Sequence, residues 1–281
     1  MQALLHPHHI GQRREPAHPT VFLDAAAPFL VGWAHREMAE IALRRGNLAA
    51  ARDNCQRALE FGTEPQPALA RLRLAEGDVE GALRSIDSAL ENTSLMLSQN
   101  HVDLLPAKVT IAIAAGQIEQ AAQAIEPLEE LAAQLDTPAP LASAACARGE
   151  LYLAQGEPVS AAEHFRKAWR LWCDIEAPYD AARAQELLSK ASAAQGDIGA
   201  ALIQLQAARS SFERIGAEAD ASRLEDEVAN LERRRRTAQT TVHTARFSKT
   251  FMFTVMVDYI MLVELLGDDW WDGVHHGHHR S

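Results

Sequence analysis

Along most of the chain, apolar and small positions keep a fixed register to five recurring glycines. The strings RRGNLAAAR, AEGDVEGAL, AAGQIEQAA, AQGEPVSAA and AQGDIGAAL place Gly46, Gly77, Gly116, Gly156 and Gly196 at spacings of 31, 39, 40 and 40 residues. Five positions after each glycine stands an alanine: Ala51, Ala82, Ala121, Ala161 and Ala201. Twelve positions after it come Ala58, Ala89, Ala168 and Ala208, with Leu128 as the exception. Nine positions after it Cys55, Ile86, Ile125, Phe165 and Leu205 supply a bulkier apolar group. Seven positions before it Ala39, Ala70, Gly149 and Ser189 are small, and Val109 breaks the rule.

The register has a physical reading as helical hairpins. Glycine adopts the positive φ that ends a helix. The Asn, Asp, Gln or Glu that follows favours a turn and the next helix start. Two alanines seven residues apart lie on one helical face and let a neighbouring helix approach closely. The pattern predicts A helices near 26–45, 66–76, 98–115, 138–155 and 178–195. B helices are predicted near 48–61, 79–91, 118–134, 158–175 and 198–215. Breaks at Thr63-Glu64-Pro65, Thr137-Pro138 and Ala177-Pro178 fall between the hairpins. A polar-faced closing helix over about 218–236 completes the stack and keeps its end soluble.

These residues resemble the tetratricopeptide repeat, in which a Gly-acidic turn separates helices A and B and small residues recur at the same offsets. The longer last three units are similar to the repeats of large bacterial LuxR-type and related signalling regulators, most of all WCDIEAPYDAARAQELLSKASAAQGD at residues 172–197. The resemblance implies an all-α fold: a right-handed α-solenoid of about five helix hairpins plus a capping helix, over residues 25–236.

Composition narrows the function classes. Apolar residues make up 47% of the 281, enough for a sizeable core, while aromatics at 6% leave Ala and Leu to build it. A formal net charge of −11 argues against a nucleic-acid-binding body. The run Arg233 to Arg236 is read as a helix-end and linker feature that complements the C-terminal dipole. Cys55, Cys146 and Cys173 lie far apart inside predicted helices, odd in number and without CxxC spacing, which fits buried thiols in a reducing, cytoplasmic compartment. Residues 1–24 carry no basic-then-apolar signal segment and read as a flexible, His- and Pro-rich lead. His6, His8 and His9 at one end, and His275, His276, His278 and His279 at the other, lack the fixed geometry of a metal site. No metal or cofactor is therefore expected.

In the tetratricopeptide family the A helices line the concave side. That resemblance places Trp33, Arg36, Glu40, Arg71, Asp103, Thr110, Glu150, Arg183, Glu186 and Lys190 in the groove. The expected occupant is a protein or peptide, and Arg71, Arg183 and Lys190 could hold a carboxylate or an acidic segment. The rival reading of each charge is plain surface solvation.

Beyond a linker at 237–249, FSKTFMFTVMVDYIMLVELLGDDWWD resembles the opening strand and helix of a class III adenylate/guanylate cyclase domain. Phe251, Met252, Phe253, Thr254, Val257, Leu262, Val263, Glu264, Leu265, Gly267, Asp268 and Trp271 carry the likeness. The family's first metal-binding aspartate falls on Val255, whose apolar side chain cannot coordinate Mg²⁺. The family's other catalytic positions would lie beyond Ser281, so 250–281 is expected to be a truncated, degenerate remnant without catalysis. Asp258 and Glu264 interrupt its apolar run, so no membrane span is expected, but an unpaired strand there could drive self-association. The resulting expectation is a regulatory interaction module of a bacterial signalling protein related to cyclases. A fragment of a LuxR-type transcriptional regulator, or a cyclase subunit active only with a partner chain, are the alternatives.

Overall fold

Each recurring glycine ends one helix and turns the chain into the next. At Gly46, with φ at +69°, its own N–H reaches the Leu43 carbonyl and the Asn47 N–H reaches that of Ala42. The carbonyls left open at a helix end are thereby satisfied, in a geometry that a side chain would strain. The Asn47 carboxamide then accepts from the Ala50 N–H and caps the next helix. Asp78 and Asp197 cap in the same way, accepting from Gly81 and Ala200.

The computed structural model describes residues 28–92 and 98–242, and all of the regular structure among them is helical. The order is α1 (Pro28–Arg44), α2 (Leu48–Glu60), α3 (Ala68–Ala75), α4 (Val79–Asn92), α5 (Ser98–Ala114) and α6 (Ile118–Leu135). It continues with α7 (Pro138–Ala154), α8 (Pro158–Asp174), α9 (Pro178–Ala194), α10 (Ile198–Arg214) and α11 (Glu218–Val242). The elements fall where the glycine register puts them. Where a linker was expected from residue 237, α11 continues instead to Val242. Packing divides the chain into Met1–Ala238 and Gln239–Ser281, with the hairpins in the first unit. The cyclase-like segment, the His-rich ends and the N-terminal lead lie outside the described residues.

The hairpins stack as an α-solenoid. Each A helix packs on its own B helix, each B helix on the next A helix, and successive A helices (α1, α3, α5, α7 and α9) touch one another. The A helices therefore form the inner layer. The alanines five after each glycine are fully buried in all five hairpins, and the apolar group at nine after is at most 2% exposed. Phe165, Ile86 and Ile125 each contribute about 2 kcal/mol by leaving water.

One pair shows how the register adjusts. The fourth hairpin has the largest group at nine after, Phe165, and glycine at seven before, Gly149. A methyl group built on Gly149 would stand 2.5 Å from the Phe165 ring. Elsewhere, polar clips join the hairpins. The Arg148 guanidinium grips Glu129 between α6 and α7, with Nε to Oε1 at 2.9 Å. The buried Lys108 ammonium on α5 donates to Asp87 on α4 and to Gln120 on α6.

Candidate inner-face site

The residue six before each glycine is Glu40, Arg71, Thr110, Glu150 and Lys190. One turn of register thus contributes one polar side chain per hairpin to the inner layer, and neighbours in this ladder meet. Arg71 Nη1 donates to Glu40 Oε2 at 2.8 Å, and Thr110 Oγ1 donates to Glu150 Oε2 at 2.8 Å. The first four members of the ladder face a cavity of about 670 Å³. Glu40, Arg71, Thr110, Glu150 and Arg183 line it over a floor that includes Leu43, Leu74, Ile111, Ala147 and Leu187.

At the C-terminal side one carboxylate holds three cations. Glu186 is fully buried and receives Arg183 at 2.7 Å, Lys190 at 2.8 Å and Arg223 at 2.8 Å. Arg223 comes from α11 and binds both carboxylate oxygens. Burial alone would raise the pKa of Glu186, but the Arg223 hydrogen bonds and the charges of Arg183 and Lys190 bring it down to about 2. Glu150 behaves oppositely. Desolvation holds its carboxyl above the usual range, against the Thr110 hydrogen bond and the charges of Arg183, Lys190 and Arg71.

The expected groove residues divide into three groups. Five line the cavity, and Glu186 and Lys190 lie outside its lining, where Glu186 holds both Arg183 and Lys190. Arg36 and Asp103 line a smaller cleft with Glu40 and Arg71, where Arg36 is paired with its neighbour Glu37 at 2.7 Å. Desolvation raises the Asp103 pKa there, opposed by Arg71 and Arg36. Trp33 is half exposed and is absent from both linings. The three cations expected to await a carboxylate already hold carboxylates of the chain itself, Arg71 on Glu40 and Arg183 and Lys190 on Glu186. The cavity wall is balanced: Arg44, Arg71, Arg183 and Arg223 face it together with Glu40, Glu150, Asp180 and Asp220. One acceptor is left over, because Glu40 Oε1 is buried without a hydrogen-bond partner.

Sequence reading missed Arg44, Trp172, Tyr179, Asp180, Asp220 and Arg223, which also line the cavity. Tyr179 donates its hydroxyl to Asp220 at 3.0 Å and packs edge-on against Phe212. Burial, then the Asp220 charge, pushes its phenol pKa up. Arg223 sits on the capping helix, whose charges read as solvating. Its spacing of 37 residues from Glu186 matches no repeat offset, so no periodic signal marks it.

Residues 32–53 and 142–167 match the tetratricopeptide repeat, and each stretch spans an A helix, its glycine turn and the start of the B helix. No curated protein matches the chain. Among solved structures, the chain is similar to the crystal structure of BtubC (BKLC) from P. vanneervenii. Identity is 12%, 84% of this chain and 98% of that chain are covered, and the TM-score is 0.42.

Proposed function

We propose that this tetratricopeptide-repeat region is a protein-interaction module that holds an extended partner segment against its inner face. The observation that carries the reading is the polar ladder of Glu40, Arg71, Thr110 and Glu150 over an apolar floor in one cavity of about 670 Å³. Apolar floors with a few fixed polar groups take up ligands by burial and set their orientation by hydrogen bonding. The volume suits a few residues of extended chain better than a folded surface. Because the wall is charge-balanced, the preferred segment carries both signs or none.

We place the module in bacterial signal transduction, in the cytoplasm, on two likenesses. One is that of residues 172–197 to signalling regulators, and the other is that of residues 247–272 to the start of a cyclase domain. Val255, where that family has a metal-binding aspartate, speaks against Mg²⁺ chemistry at this segment. Self-association through the apolar segment remains part of the proposal. Among the described residues no helix is long and apolar enough to cross a membrane.

The test is capture of partners from native cells on the full-length chain, followed by calorimetry with peptides tiling each captured protein. A single tile should bind, and Glu150→Lys should weaken it about ten-fold or more by burying a like charge beside Arg183 and Lys190. Unchanged affinity in Glu150→Lys and in Arg71→Glu would move the site off the inner face.

A further inference from the structure

The inner face does not remain an open groove. Arg44, at the end of α1, lies over the Tyr179 ring with its guanidinium carbon 4.7 Å from the ring centroid. The same guanidinium reaches Asp180 at 3.6 Å. Beside it, Gly46 meets the capping helix so closely that a Cβ there would stand 2.9 Å from the Ala219 methyl. The first hairpin therefore touches the fifth and the cap, and the solenoid turns back on itself around the cavity.

The bonding on the two sides of this seam is unequal. On the far side Tyr179, Asp220 and Arg223 form one hydrogen-bonded network around the buried Glu186. On the near side Arg44 ends a helix whose next hairpin is clipped by Arg71 on Glu40. Among the described residues, the seam carries one half-exposed ion pair, one cation–π contact and the close approach of Gly46 to the Ala219 methyl. Contacts of the first two kinds shift an equilibrium several-fold, not by orders of magnitude. Firm bodies joined by weak contacts make a reversible closure.

We infer that Arg44, Tyr179 and Asp180 form a latch that opens and closes the inner cavity by releasing the first hairpin from the fifth hairpin and the cap. The latch goes beyond the proposed function, because it sets access to the cavity whatever enters. Groups facing Arg44 are Tyr179 and Asp180 on α9, with Glu40 and Asp220 lining the same cavity. Closure therefore weakens in high salt, which screens the ion pair.

The test uses the full-length chain with spin labels at Arg45→Cys and Glu218→Cys, two exposed positions beside Gly46 and Ala219, on a Cys173→Ser background. Pulsed dipolar spectroscopy should show a narrow, short distance in the unsubstituted latch. Arg44→Glu, which sets two carboxylates against each other, should lower the closed-to-open ratio about ten-fold. The exchanged pair Arg44→Asp with Asp180→Arg should restore much of it. Circular dichroism checks that helix content is kept, and Arg44→Gln serves if the glutamate variant fails to fold. A long distance in the unsubstituted latch, or one unaltered by every Arg44 variant, would overturn the inference. Loss of peptide binding with an intact short distance would count against the proposed function alone.

Discussion

At the scale of single residues, the backbone demands of the turns sort the side chains that follow. Glu176 takes a φ of +54° between α8 and α9, in the place that Gly216 fills after α10. A left-handed conformation strains any residue with a Cβ. Glu176→Gly is expected to raise stability by about 0.5–1 kcal/mol, the relieved strain exceeding the extra entropy of the unfolded chain. Urea unfolding at constant m-value checks it. Gly149 is the converse case, small because Phe165 fills its space. Gly149→Ala should cost about 2 kcal/mol by overpacking, and adding Phe165→Leu should recover part of that loss. Additive losses in the double variant would show that the two positions are not coupled.

In the first hairpin, Asn54 donates its amide to the Ala50 carbonyl, so its Oδ1 is left to accept from His35 Nδ1 at 2.8 Å. A buried histidine thus serves here as a donor that fixes two helices, with Phe61 stacked beside it. No repeat offset marks His35 in the sequence. Its partner lies 19 residues away, across the turn.

Between elements, the charges do what the repeat cannot. Alanine contacts are interchangeable from hairpin to hairpin, whereas Arg148 with Glu129, Lys108 with Asp87 and Arg223 with Glu186 each occur at one joint. The last of these ties the capping helix to α9 and has a defined pH signature. The folded pKa of Glu186 is lowered to about 2. Its contribution is therefore complete above the unfolded carboxylate range and is lost as pH falls through about 2. Glu186→Gln is expected to cost about 3 kcal/mol at neutral pH, because three half-exposed cations lose their shared charge. The gap between the two proteins should close as the pH is lowered from about 4.5 towards 2, read from denaturation midpoints across that window.

For the helical unit as a whole, stacked hairpins gain stability from nearest neighbours and normally open from their ends. The seam between Arg44 and Tyr179 joins the two ends that would otherwise fray. Arg44→Glu should therefore speed amide exchange in α1, α2 and the start of α11, and leave α5 to α8 as slow as before. Hydrogen-exchange mass spectrometry resolves these stretches. Uniform acceleration along the chain would indicate global destabilisation instead of local release.

The helices, their order and the faces they bury were determined by the sequence itself. Glycine's backbone freedom, polar caps and the size of side chains at fixed offsets act within one hairpin or on the next, so their effect is written locally. Glu40, Arg71, Thr110 and Glu150 line one cavity, since a ladder position is also a local property. The pairing of Arg183 and Lys190 with Glu186 is local too, at three and four residues along α9. Tertiary structure alone decided that Glu40 of another hairpin holds Arg71 and that Arg223 of the cap joins Glu186. Arg44 and Tyr179 are 135 positions apart and meet because small rotations from hairpin to hairpin add up to a closed turn. Such a sum depends on every joint at once, and no single stretch of sequence records it.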